Sequence, residues 1–187
     1  MLDITRNTHP NGIDVAALSH VVEAVEKDSA KAKVGFDVTT RWLGQTRSET
    51  TVQGVTVGGQ HIARSHVIAA DEPTSLLGGD TAPNPQELLM AAFNACITVG
   101  YVAGASIRGI TLESLEIRTR GELDPRGFLG LSEDVPPGYE TLDYEVRIKG
   151  DGTREQFEEI HQTVLKTSPN YFNIANPIRV NAKLVTA

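Results

Sequence analysis

Apolar and polar positions along the chain alternate in two rhythms, and the switches between them lay out the elements. From about Asp14 to Ala30, Val15, Leu18, Val22 and Val25 recur at three- and four-residue spacing, which predicts an amphipathic helix opened by Asn11-Gly12. The period then drops to two. Lys33–Trp42 alternates, Gly44-Gln45 reads as a turn, Ser48–Val57 is rich in Thr and Val, Gly58-Gly59 reads as a hairpin turn, and Gln60–Ala70 follows as a third strand. Together they predict an antiparallel meander. Asp71–Pro83 is a loop dense in Pro, Gly and Asp.

Asn84-Pro85 then signals a helix start, with Asn84 as cap and Pro85 at the first helical position. Glu87 falls where a carboxylate can reach back to the cap N–H. This helix is predicted to run to about Ser106, and it is apolar nearly all round, as buried helices are. Thr111–Gly121 reads as a strand, residues 122–139 as a long loop, and Thr141–Gly150 as a strand with Leu142, Tyr144, Val146 and Ile148 on one face. A helix follows Asp151-Gly152-Thr153, with Phe157, Ile160, Val164 and Leu165 on its apolar stripe, and Pro169 ends it. Pro177–Val185 alternates as a last strand. The order α-βββ-α-ββ-α-β predicts an α+β fold, with residues 1–32 as an N-terminal extension bearing one helix and residues 33–187 as the main domain.

Composition narrows the function. The net charge is −7 without a Lys/Arg cluster, so nucleic acid is not an expected partner. The start of the chain lacks a signal-type apolar stretch, and the apolar run from Leu88 to Ala95 is interrupted by Asn94. The expectation is a cytoplasmic protein without membrane association. The five histidines are scattered, so no metal and no cofactor is expected. No Gly-x-Ser-x-Gly elbow and no P-loop occur.

What remains is Cys96, the only cysteine in the chain. A single thiol closes no internal disulfide. It is either an inert packed group, as free cysteines often are, or a reactive one that needs a nearby cation and some exposure. Cys96 sits about three turns into its helix, too far for the helix's own N-terminal dipole to help.

The segment Asn84-Pro85-Gln86-Glu87-Leu88-Leu89-Met90-Ala91-Ala92-Phe93-Asn94-Ala95-Cys96 resembles the reactive-cysteine helix of the OsmC/Ohr family, the osmotically inducible protein C and organic hydroperoxide resistance proteins. The resemblance extends over about Lys33–Ala187, and the Asn11–Asp14 and Gly127–Leu131 segments resemble a longer OsmC-like subgroup. It implies an intertwined homodimer, with antiparallel sheets wrapped around two long central helices. It also implies a thiol peroxidase acting on organic hydroperoxides, in which Cys96 is oxidised to a sulfenic acid. An arginine and a glutamate would activate the thiol, and a second cysteine before a proline would resolve it.

The chain departs from that pattern in three places. Ser168 stands in the resolving position, before Pro169, so an external thiol reductant is implied. Gln86 aligns with the activating glutamate, and the adjacent Glu87 has a role as a cap. Gln86 and Cys96 are ten residues apart, ~15 Å along one continuous helix, so contact between them requires a dimer interface. No arginine matches cleanly. Arg47 is the first candidate, followed by Arg41 and Arg64, and Tyr171, Phe172 and Asn173 are candidate pocket residues. Phe93 and Tyr101 read as core. Three readings therefore stand: a one-cysteine hydroperoxide reductase in oxidative-stress defence, a non-catalytic binder of a small apolar ligand or thiol sensor on the same dimeric scaffold, and a dimeric scaffold with an inert thiol.

Overall fold

The computed structural model describes residues 9–186. The chain divides into two compact units, the first ending at Ala91 and the second beginning at Ala92.

In the first unit, helix α1 (Val15–Lys27) starts where the Asp14 carboxylate accepts from Ala17 N–H at 2.9 Å. It stops three residues earlier than its apolar spacing predicts. Asp28 leaves the helical region and caps a short turn through its own side chain, a competition that Asp wins readily. Strands β1 (Val34–Trp42), β2 (Ser48–Val57) and β3 (Gln60–Ala70) form the predicted antiparallel meander in the order β1-β2-β3. Val57 pairs with Gln60 across a two-residue turn in which Gly58 and Gly59 both have positive φ, the turn whose twist suits a hairpin. The ladder shifts register between Val52 and Gly54, and a side chain at Gly54 would collide with the His61 ring and the Ile62 carbonyl.

The loop after β3 is organised by Asp71, which is buried. Its carboxylate accepts from the hydroxyls of Thr46 and Thr81, each at 2.7 Å, and from the N–H groups of Glu72, Gly79 and Thr81. The two threonine hydroxyls, then the backbone N–H groups, hold this carboxyl far below the usual range, so it stays ionised although buried. The loop ends at helix α2 (Pro85–Ile107), where Asn84 N–H donates to Glu87 Oε2 and Glu87 N–H to Asn84 Oδ1, both at 2.8 Å. This is the reciprocal cap its sequence predicts.

α2 continues past Asn94, and over its 23 residues it is long and apolar enough by length and composition to cross a membrane. Its sequence suggests a shorter run because Asn94 interrupts it. The amide is not stranded, however: Asn94 Oδ1 accepts from Thr119 and Nδ2 donates to the Ile117 carbonyl. Core helices of soluble proteins share this apolarity.

The second unit builds its core on one face of α2. Phe93, Ile97, Tyr101 and Ala105 recur every four residues and are buried together with Ile110. Strands β4 (Leu112–Arg120) and β5 (Asp143–Gly150) pair antiparallel, and Leu115, Ile117, Tyr144, Val146 and Ile148 pack on that core. Helix α4 (Arg154–Thr167) adds Ile160 and Val164 to the same core. Gly100 and Gly104 allow its close approach. A Cβ on either would lie 3.0 Å from a Val164 or Ile160 methyl. Burying a side chain such as Ile97 or Ile160 contributes about 1.5–3 kcal/mol. α2 itself closes on Gly109, whose φ of 70° lets Ile110 N–H return to the Ala105 carbonyl.

Three segments differ from expectation. The 122–139 loop contains a one-turn helix α3 (Pro125–Phe128), capped by Asp124. Pro169 ends α4 but also begins helix α5 (Pro169–Ala175). The predicted strand Pro177–Val185 does not form: among the described residues the segment has no regular secondary structure and joins no sheet. Its alternation is real, yet a strand exists only by pairing, and among the described residues no segment pairs with it. Val180 and Leu184 are more than four-fifths exposed.

Candidate functional site

Cys96 lies on α2, partly buried, one residue before the core position Ile97. Its Sγ is 3.4 Å from Ser168 Oγ, across 72 residues of sequence. Ser168 is placed by two helices at once. Its N–H donates to Val164 at the end of α4, and its hydroxyl accepts from Tyr171 N–H as the cap of α5. A serine before a proline is favoured at such a helix start. Asn170 then fastens α5 to α2 by donating its Nδ2 to the Ala92 carbonyl at 2.8 Å, one turn before Cys96. The serine hydroxyl has one proton and two lone pairs, so it can accept from Tyr171 N–H and still donate to the sulfur.

Around this pair the residues are aromatic. The Tyr171 ring lies 6.5 Å from Phe93, and Phe93 meets Tyr144 edge-on at 5.3 Å. Phe172 points outward and is largely exposed. Further along α2, the Tyr101 hydroxyl is hydrogen-bonded to His161 Nδ1 and the two rings stack. Burial, then the neighbouring Tyr144 and Glu158, pushes the Tyr101 phenol up and keeps it neutral; burial, then Tyr171, raises Tyr144 as well.

The remaining sequence candidates belong to the first unit. Arg47 closes the β1–β2 turn, with its N–H on the Gly44 carbonyl and its guanidinium 3.4 Å from the Leu43 carbonyl. Arg41 is on β1 and Arg64 on β3. Gln86 is in the first turn of α2, and Glu87 is engaged in the cap. Sequence reasoning missed α5 and the Tyr101–His161 pair. For α5 the signal was present, since Ser168-Pro169 repeats the cap-then-proline pattern of Asn84-Pro85. Among the described residues no group of three or more His, Cys, Asp or Glu side chains could hold a metal ion.

Solved structures similar to this chain share its fold. An OsmC-like protein of Mycoplasma pneumoniae superposes with a TM-score of 0.58 at 16% identity, covering 76% of this chain and 89% of its own. An OsmC-like protein of unknown function from Vibrio cholerae gives 0.51 at 14% identity, covering 73% and 91%. At such identities the likeness concerns the fold. No curated protein matches the chain by sequence. The profile of the family described as OsmC-like protein, by contrast, matches residues 78–183, more than half of the chain and the whole stretch that carries Cys96 and Ser168. The chain belongs to the OsmC-like protein family.

Proposed function

We propose that the protein is a one-cysteine thiol peroxidase that reduces organic hydroperoxides, with Cys96 as the attacking group. The observation that supports this reading is the 3.4 Å approach of Ser168 Oγ to the partly buried Cys96 Sγ. In the reaction the Cys96 thiolate attacks one oxygen of ROOH, the O–O bond breaks, and ROH leaves after taking a proton. The sulfur is oxidised by two electrons to a sulfenic acid. Ser168 cannot displace that oxygen. A small external thiol R′SH does so instead, giving a mixed disulfide and water, and a second R′SH releases R′SSR′ and restores Cys96. Arg47 is the proposed activating cation and Gln86 its hydrogen-bonding partner, while Glu87 serves the helix cap.

The same reading places the chain in a homodimer. Supporting it are the unpaired alternating segment after Asn176, and exposed apolar residues on the meander, Phe36 and Trp42 among them. Cytoplasmic residence, where small thiols are plentiful, completes the proposal. The test is turnover of an alkyl hydroperoxide with excess dithiothreitol: wild type consumes peroxide above the thiol background, and Cys96→Ser does not. Equal rates for the two would favour the binder or thiol-sensor reading, which the aromatic surroundings of Cys96 also suit.

A further inference from the structure

The second unit holds a cavity of about 280 Å³ between β5 and α4. Ligand sites for drug-sized molecules run roughly 300–1,000 Å³, so its occupant would be small. Val146, Ile148 and Phe157 give it apolar walls. Two polar groups, those of His161 and Arg154, border it without a full set of hydrogen-bond partners. His161 uses Nδ1 on Tyr101 and has no second partner among the described residues. The guanidinium of Arg154, the first residue of α4, makes no ion pair or hydrogen bond among the described residues. The other charged lining residue, Glu158, accepts from Gln162 one turn on.

We propose that this cavity is a binding site for a small carboxylate with an apolar body. The Arg154 guanidinium takes the carboxylate, since its fork matches two oxygens. The body packs on Val146, Ile148 and Phe157. The site does not use Cys96: Tyr101, the contribution of α2 to the lining, lies five residues further along that helix.

The test is calorimetric titration of the full chain with 4-phenylbutyrate and with its neutral counterpart 4-phenylbutan-1-ol. The acid is expected to bind, and more tightly than the alcohol. Arg154→Gln should weaken the acid by roughly tenfold or more, as loss of a charge-assisted pair does, and leave the alcohol unchanged. Val146→Trp, which fills the cavity, should remove binding of both, while Cys96→Ser retains it, so this proposal stands or falls apart from the thiol chemistry. Absence of binding, equal affinity for acid and alcohol, or unchanged acid binding in Arg154→Gln would overturn it.

Discussion

Cys96 and Ser168 meet at 3.4 Å because two helices end and begin at the serine, and Asn170 draws the second of them onto α2. A disulfide needs an S–S distance of about 2.05 Å and Cβ atoms about 3.8 Å apart, so a sulfur in place of the Ser168 oxygen has to close the 3.4 Å gap by side-chain rotation together with a backbone shift at this junction. Ser168→Cys is expected to form an intramolecular disulfide with Cys96 under mild oxidation. Thiol counting in denaturant checks it: no free thiol after oxidation and two after reduction. Two thiols that persist under oxidant would show that the side chains diverge.

The packing of α4 on α2 rests on the absence of side chains at Gly100 and Gly104. A methyl group at either position would lie 3.0 Å from a Val164 or Ile160 methyl. Gly104→Ala gains helix propensity but forces the helices apart, and overpacking of this kind costs about 1–3 kcal/mol. Urea unfolding of Gly100→Ala and Gly104→Ala should show lower midpoints with unchanged slopes.

Asp71 makes stability depend on acid. Its folded value is depressed below the ordinary 3.8, first by the hydroxyls of Thr46 and Thr81, so its contribution is full above that pH and is lost as pH falls through the folded value. Asp71→Asn keeps the shape but removes the charge that five donors address. Its melting temperature should fall by roughly 5 °C or more at pH 7, the scale of a lost buried network in a domain of this size. The gap to wild type should narrow as pH drops below 3.8, and a constant gap across that range would contradict the assignment.

These residues also show what was legible in the sequence. The meander, α2 with its Asn84–Glu87 cap, and the faces of β4, β5 and α4 could all be read, because local pattern and packing agree there. Asp28 ended α1 early because a side-chain cap outcompeted a continuing apolar spacing. The alternation of Ile178, Val180 and Leu184 predicts a strand that does not form among the described residues, because pairing is a property of two segments and an alternating pattern describes only one. Cys96 and Ser168 were both visible as candidates, while their proximity was supplied by α5. The Tyr101–His161 pair was hidden because Tyr101 fits the same four-residue spacing as its apolar neighbours.

The unpaired segment after Asn176 carries a prediction about assembly. If it completes a sheet in a second copy, the full chain should run as a dimer in sedimentation velocity. Val180→Asp with Leu184→Asp, at two highly exposed positions, should shift the population to monomer with α2 and α4 still folded by circular dichroism. A wild-type monomer would remove the dimer from the account.

The central claim concerns the thiol itself, and the most direct measurement is the chemical state of Cys96 after one equivalent of cumene hydroperoxide. Treatment with dimedone, followed by intact mass and peptide mapping, should place a single sulfenic-acid adduct on Cys96, and addition of glutathione before dimedone should replace it with a mixed disulfide. A Cys96 that stays reduced and unlabelled under these conditions, while it alkylates normally in denaturant, would contradict the account.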